Sequence, residues 1–440
     1  MTADDTIAAI ATPPGVGGVG IVRVSGPSAI AIVSGLIGVA ASELDRSVRL
    51  AWARDRRNAR IDQVLAFAMR APASFTGEDV AEVHGHGGAF GMAALLAAIV
   101  ERGARVAAPG EFTRRAVANG KLDLSRAEAL LDVIHAGSDR ALRLAQANLE
   151  GRLGHDAANL EHRALAILAE IEGRIDFPDD DLDVQTDGWV DTELAALEQR
   201  CGELAAGFRE GRAIRDGITV ALVGPVNAGK SSLLNALVGH ERALVASEPG
   251  TTRDYLEITN SWNGIRVTIV DTAGLRDTAD AVEKRGIDLG AARVDGADVV
   301  VVLNDGSSAW DDGSRYGDRG IAIRSKGDLA PAVERAGVLV TSAQNGTGLD
   351  ELKHRVLAKA GIADREGNEQ PMITTLRQHQ QIIEARDAFA ASRHARGERT
   401  APEIVALELR TAAQALARLR GVEVGERVLD ELFARFCIGK

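Results

Sequence analysis

The stretch GPVNAGKSS, Gly224–Ser232, sets two glycines ahead of a lysine and a serine, directly after the apolar run ITVALV. A glycine turn between a strand and a helix lines up backbone N–H groups beside the positive end of the helix, and phosphate oxygens are what such a nest binds. Asn227, Ala228, Gly229, Lys230, Ser231 and Ser232 are therefore expected around phosphates. Lys230 has the catalytic part of neutralising charge on the outer phosphates, and the Ser231 hydroxyl that of a magnesium ligand. About twenty residues on, Ala246, Ser247, Glu248, Pro249, Gly250, Thr251 and Thr252 form a second polar loop, with Thr252 placed to close on magnesium and the terminal phosphate. Asp271, Thr272, Ala273 and Gly274, DTAG, end an apolar run. There a carboxylate can hold a magnesium-bound water and a glycine amide can sense that phosphate.

Ser325, Lys326 and Asp328 belong to SKGD, and Ser342 and Ala343 to TSA after the next apolar run. A carboxylate at Asp328 can accept two hydrogen bonds from the guanine N1–H and exocyclic amine, which adenine cannot supply. The expected cofactors are GTP or GDP with magnesium.

Two residues keep two readings each. Leu275 follows the DTAG glycine and cannot hydrogen-bond, so another group must orient the attacking water. Glu283 carries a suitable carboxylate and equally reads as a solvated helix charge. The Asn227 amide reads as a ligand for a monovalent cation offsetting transition-state charge, or as a loop-stabilising residue.

The elements that must position these groups follow from pattern. GITVALVG, RVTIVD, ADVVVVLND, GIAIRS and GVLVTSA alternate with helical stretches, as expected of a parallel α/β sheet. Residues 1–120 mix short apolar runs with Gly and Pro and read as a small mixed α/β domain. Residues 121–215 carry Leu168, Ile171 and Ile175 at helical spacing. Residues 371–440 carry Val405, Leu409, Ala412, Leu416 and Leu419 at alternating spacings of four and three,. The α/β unit 216–370 is thus expected as an insertion in a helical domain built from 121–215 and 371–440.

With 440 residues the chain is expected to hold about two to four domains,. A net charge of −12 weighs against gripping nucleic acid through global charge and leaves a local basic patch open,. Arg54, Arg56, Arg57 and Arg60 read as a solvated face more readily than as an RNA contact. Two cysteines, Cys201 and Cys437, make neither a disulfide framework nor a metal site and fit a reducing, cytoplasmic setting,. The first residues, MTADDTIAAIATPPGVGG, lack the cationic start of a targeting peptide. No run of about 18 apolar residues is present to span a membrane. His84 and His86, in HGHGG, are a weak metal signal and read as structural, and Cys201 reads as an ordinary buried residue.

The nucleotide motifs together resemble the Ras-like P-loop GTPases of the translation-factor-related class. Their Asn-Lys-x-Asp pattern has Ser325 at its first place here. Serine keeps a hydroxyl but loses reach and one donor, so weaker base affinity is expected while Asp328 keeps the choice of guanine. Further segments narrow the resemblance: DTIAAIATPPGVGGVGIVRVSG at 5–26, SFTGEDVAEVHGHGG at 74–88, PGEFTRRAVANGKLDLSRAEA at 109–129 and FCIGK at the end. Over essentially the whole chain these resemble the MnmE (TrmE) tRNA-modification GTPase family.

That resemblance implies a homodimer with an N-terminal folate-binding α/β domain, a two-segment helical domain and an inserted G domain. It implies a heterotetramer with the FAD-dependent MnmG (GidA). Together they add aminomethyl or carboxymethylaminomethyl groups at C5 of the wobble uridine, position 34, of tRNA. The one-carbon unit comes from a tetrahydrofolate derivative, 5,10-methylene- or 5-formyl-tetrahydrofolate. Arg23, Glu82, Lys121 and Lys440 match the folate pocket. The tail, held by Leu429, Leu432, Phe433 and Phe436, is implied to reach that pocket with Cys437 facing the chemistry, as nucleophile, proton carrier or packing group. Asn227, the carbonyls of Ala246 and Glu248, and Thr251 match a potassium site in a G-domain dimer. The family often has threonine where Ala246 stands, which bears on potassium dependence. Glu283 matches the water-activating glutamate.

Two rivals remain at this level. A regulatory GTP switch, for example in ribosome assembly, would bind no tetrahydrofolate in residues 1–120. A folate enzyme with a purely regulatory G domain would keep its chemistry without the Glu283 carboxylate.

Overall fold

The computed structural model describes residues 5–176, 187–239, 257–271, 293–307, 309–329, 337–363, 370–422 and 424–440. They belong to two units, Met1–Leu131 with Ala417–Lys440, and Asp132–Leu416. In the first, β1 (Ile7–Ile10), β2 (Gly17–Ser25), β3 (Arg49–Arg54), β4 (Arg60–Met69), β5 (Val80–Gly87) and β6 (Arg105–Val106) form a sheet in the order β3-β4-β5-β2-β1-β6. Its pairs are antiparallel except β1 with β6. A side-chain period of two sends Val22, Val24, Ala81 and Val83 into a core with Leu36 of α1 (Ala29–Ile37) and Leu95 and Ile99 of α2 (Ala89–Glu101),. The same period puts Arg23 and Glu82, directly opposite each other on β2 and β5, on the other face,.

A partly buried ionic cluster ties the start of the described chain to this sheet. Arg115, on α3 (Glu111–Ala118), meets Asp5 at 2.5 Å, Glu111 at 3.1 Å and Glu78 at 3.2 Å. Arg105 meets Asp5 at 2.6 Å and Glu111 at 2.5 Å. Burial pushes the Glu111 carboxyl up, but hydrogen bonds from Arg105, the Ala108 N–H and Arg115 outweigh it and hold it low.

The tail is seated in this same unit. Phe433, ending the helix Glu426–Phe433, and Phe436 are buried against Ala127, with Leu429 and Leu432 partly buried beside them. Full burial of a phenylalanine contributes about 1.5–3 kcal/mol. Arg114 pairs with Glu426 and Asp430 on that helix, and the Gly110 N–H lies 3.5 Å from the Cys437 carbonyl. Gly439 has φ +103°, and a Cβ there would lie 2.5 Å from the Ile10 carbonyl oxygen and 2.8 Å from Ala11 Cα. Neither backbone atom can yield cheaply, so Gly439→Val is expected to unseat the tail. Tryptic cleavage after Arg435, followed by mass spectrometry, should quicken several-fold, and an unchanged rate would mean that the seat does not form in solution.

In the second unit β7 (Ile218–Val223), β8 (Glu257–Trp262), β9 (Ile265–Asp271), β10 (Val299–Asn304), β11 (Gly320–Arg324) and β12 (Leu339–Val340) form a sheet in the order β12-β11-β10-β7-β9-β8. Every pair is parallel except β8 with β9. The run VVVVLN of β10 is buried at every position, as a strand covered on both faces requires. The edge strand β8 is an addition to the sequence expectation, since EITNSW is too polar to read as a buried strand. Helical stretches precede and follow this sheet along the chain. These include α4 (Leu124–His135), α5 (Asp139–Leu149), α6 (Arg152–Asp176), α7 (Asp187–Ala206) and α8 (Phe208–Asp216) before it, then Leu376–Gly397 and Pro402–Arg420 after it. Leu144 of α5 and Ile214 of α8 join the core of the sheet. Val405, Leu409, Ala412, Leu416 and Leu419 are all buried. A capping box at Thr375 and Gln378 starts the helix Leu376–Gly397,. Cys201 is fully buried in α7 and burial pushes its thiol up to about 12. No helix among the described residues is long and apolar enough to cross a membrane.

Candidate functional site

The residues of the nucleotide motifs that the structure describes stand at the carboxyl ends of parallel strands, on both sides of β7, where the strand order reverses,. After β7 the chain turns through Gly224–Gly229 into α9 (Lys230–Val238). The turn takes positive φ at Gly224 (+153°), Asn227 (+63°) and Gly229 (+92°). A Cβ on Gly224 would stand 2.7 Å from the Leu303 carbonyl oxygen, so a side chain is excluded there. Asparagine tolerates the left-handed region better than most residues, which provides a backbone reason for Asn227; its side chain is exposed. Lys230 folds back, its Nζ donating to the carbonyls of Gly224 at 3.0 Å and Pro225 at 2.8 Å. The Ser231 hydroxyl donates to Asp271 Oδ2 at 2.8 Å. Two oxygen groups, Ser231 in the first turn of α9 and the buried Asp271 at the end of β9, suit the hard-oxygen preference of magnesium.

The base side is a cavity of about 390 Å³ lined by Gly229, Ser232, Leu233, Lys326, Asp328 and Ala343 among others, a volume within the range of small-molecule pockets. Asp328 accepts a hydrogen bond from the Ser342 hydroxyl at 2.6 Å. The Ser342 oxygen also takes the N–H groups of Gln344 and Asn345 at 3.3 and 3.4 Å. Ser325, buried, donates to the Ala228 carbonyl at 2.8 Å. The single hydroxyl thus still ties the base loop to the phosphate loop, while the second donor of an asparagine is missing.

Asp305, just past β10, holds Lys326 Nζ at 3.0 Å. Sequence reading passed over Asp305 and Asn304. The signal available was their place at the end of a parallel strand, where ligand-positioning groups collect. The Ser307 hydroxyl and N–H, ahead of Lys326, hold the Asp305 carboxyl down at about 2.

In the other unit, Arg23 Nε donates to Glu82 Oε1 at 2.8 Å, and Glu82 Oε2 lies 2.9 Å from His84 Nε2. Arg23 also reaches the Gly439 carbonyl at 3.4 Å and sits 5.9 Å from the ring centres of Phe75 and Phe112. Burial pushes the Glu82 carboxyl up, but the His84 hydrogen bond and the Arg23 guanidinium outweigh it and hold it below the usual carboxylate range. Of the expected set, Arg23, Glu82 and the tail at Gly439 come together. Lys121 instead donates to the Pro72 carbonyl at 3.0 Å, Lys440 is half-buried, and Cys437 is exposed. Phe75, Phe112 and Gly110 went unremarked in the sequence because nothing local marks their meeting with Arg23 and the tail. His84 serves Glu82, and His86 Nδ1 pairs with Asp62 on β4 at 2.7 Å. The expectations for Ala246, Ser247, Glu248, Pro249, Gly250, Thr251, Thr252, Thr272, Ala273, Gly274 and Glu283 fall outside the described residues.

Comparison with known proteins adds the family. A family model described as the MnmE helical domain matches residues 124–437, and one described as the GTP-binding protein TrmE N-terminus matches residues 6–121. The tRNA modification GTPase MnmE of Synechococcus sp. (strain RCC307) is 41% identical over 451 residues, covering 99% of this chain and 99% of that protein. That of Moorella thermoacetica is 38% identical over 465 residues, covering 99% and 100%. Among solved structures, the G domain of the T. maritima FeoB iron transporter is 29% identical over 32% of this chain and 98% of that one, with a TM-score of 0.25. With relatives this similar along its whole length, the chain belongs to the MnmE family of tRNA modification GTPases, enzymes that hydrolyse GTP.

Proposed function

We propose that this protein hydrolyses GTP and, with the flavoprotein MnmG, adds an aminomethyl or carboxymethylaminomethyl group at C5 of the wobble uridine of certain tRNAs, drawing the carbon from a tetrahydrofolate derivative. It works as a cytoplasmic homodimer, with the domain division 1–120, 121–215, 216–370 and 371–440. The observation that carries this reading is that one chain of the MnmE family holds two sites. One is the phosphate loop with the Asp328 pocket, and the other is the Arg23–Glu82 pair met by Gly439.

The roles follow from the chemistry of the residues present. Lys230 and the loop N–H groups hold the phosphates, and Asp328 selects guanine by accepting from N1–H and the 2-amine. Ser231 and Thr252 would hold magnesium, with Asp271 holding a water bound to it, and the ion would supply charge neutralisation on the outer phosphates. Glu283 orients the attacking water in place of the glutamine missing at Leu275. Asn227, Ala246, Glu248 and Thr251 would hold potassium. Glu82 keeps lone pairs beyond those used by Arg23 and His84, enough to accept from an aminopyrimidine, while Arg23, Lys121 and Lys440 supply positive charge for the folate carboxylates.

Mass spectrometry of wobble-uridine nucleosides tests the whole reading, in cells lacking this protein and complemented with wild type, Glu283→Ala or Cys437→Ser. The expected result is loss of the 5-aminomethyl-type groups, restoration by wild type, and failure with Glu283→Ala, whose GTP turnover falls by about 100-fold or more. Failure or rescue by Cys437→Ser decides whether the thiol takes part. Unchanged nucleosides in the deletion would leave the regulatory GTP switch as the reading.

A further inference from the structure

We propose that Asp305 is a positioning residue for the guanine nucleotide, acting through Lys326. The inference rests on the GTP-binding reading above and deepens it.

Lys326 is fixed at both ends. Its backbone has φ +56°, a left-handed conformation that a β-carbon makes costly. Its ammonium lies 3.0 Å from Asp305 Oδ2. Between these ends its aliphatic stem lies beside Gly229, with Cγ and Cε 4.0 and 3.9 Å from where a Cβ on Gly229 would be. The stem thus forms one wall of the cavity that Asp328 also lines.

Asp305 is itself a fixed point. Its Oδ1 accepts the Ser307 hydroxyl at 2.5 Å and the Ser307 N–H at 3.0 Å, leaving Oδ2 for the lysine. The loop that carries it is closed by Asn304, whose amide exchanges hydrogen bonds with the Asp311 backbone at 2.8 and 2.9 Å. Gly306, with φ +84°, leaves room for the Arg324 guanidinium, which fills the space a Cβ would need.

Ser325 makes this brace matter more. An asparagine there would tie the base loop to its surroundings with two donors, whereas the serine has one and spends it on Ala228,. The orientation of the loop's lysine then depends on the carboxylate across from it. A lysine stem held against Gly229, just ahead of α9, before nucleotide arrives lowers the ordering cost of binding,.

The test is a double-mutant cycle on the full-length protein, read by titration with a fluorescent GDP analogue. Asp305→Asn keeps the shape and the Ser307 contacts but turns an N–H₂ toward the ammonium, and should weaken binding about tenfold. Lys326→Met should weaken it by a similar factor. In the Lys326→Met background, adding Asp305→Asn should change affinity less than about twofold, because the partner is already gone. If the two losses multiply instead, Asp305 has only a structural role and the inference is wrong. Should Asp305→Asn not fold, Ser307→Ala removes the hydroxyl that holds the carboxylate, from an exposed position. It is expected to weaken binding about threefold in wild type and not in Lys326→Met; equal loss in both overturns the proposal. Absence of GDP binding by wild type would overturn the nucleotide reading itself, whereas wild-type binding with an unaffected Asp305→Asn variant overturns only the brace.

Discussion

Asp328→Asn is expected to lower affinity for GDP by about a hundredfold or more and to make xanthosine diphosphate the preferred ligand. The carboxylate lines the cavity at a strand end and is aimed by the Ser342 hydroxyl at 2.6 Å. Guanine presents two donors on one edge, and only a group with two acceptor oxygens satisfies both. Asparagine offers one oxygen and one N–H₂, so it leaves a guanine donor facing a donor; xanthine has a carbonyl where guanine has its amine and accepts from the new amide. Competition of GDP, ADP and XDP against a fluorescent nucleotide reads the outcome. An Asp328→Asn variant that keeps its GDP affinity would remove this residue from base recognition and with it the guanine assignment of the cavity.

Arg23→Met is the change with the largest expected effect in the other unit. Glu82 has a side chain about 10% exposed and Arg23 one of 24%, so methionine keeps most of the packing but strands a largely buried carboxylate. Removing one partner of a buried pair costs about 3–5 kcal/mol, and about 3 kcal/mol, the low end, is expected here because His84 still contacts Glu82,. The sign with pH follows from the native carboxyl being held below its ordinary value. The pair stabilises the fold above the unfolded value of about 4.3 and that gain is lost as pH falls through the lower native value. The gap between wild type and Arg23→Met in urea unfolding should therefore be full near pH 6 and narrow toward pH 3. Adding Glu82→Gln to Arg23→Met should recover part of the stability and none of the tetrahydrofolate binding. Recovered binding would show that Arg23 serves only Glu82.

The two sites were legible to different degrees. GPVNAGKSS can be read alone because its chemistry is local: the glycines, the lysine and the serine expected around phosphates lie within nine residues, and the loop closes on itself. Asp328 could be read because SKGD follows the phosphate loop and DTAG in order, each after an apolar run. Asp305 also follows an apolar run, but its meaning lies in Lys326, twenty-one residues away along the chain. Phe75 and Phe112 likewise acquire meaning only from their rings standing 5.9 Å from the Arg23 guanidinium, and Arg23 itself reads as a surface charge without the resemblance.

Local chemistry and periodicity, which need no knowledge of neighbours, determined from sequence alone the glycine turn between β7 and α9, the parallel strands and the apolar stripe from Val405 to Leu419, and singled out Asp328, which lines the cavity. Tertiary structure decided which distant groups meet. It brought Glu82 opposite Arg23 through strand register, set Gly439 against Ile10, turned Lys121 to Pro72, and added an edge strand whose polar sequence hides it. The physical reason is that a side chain's role depends on its burial and its partner. Both are fixed by contacts between residues far apart in the chain, which no short window of sequence contains.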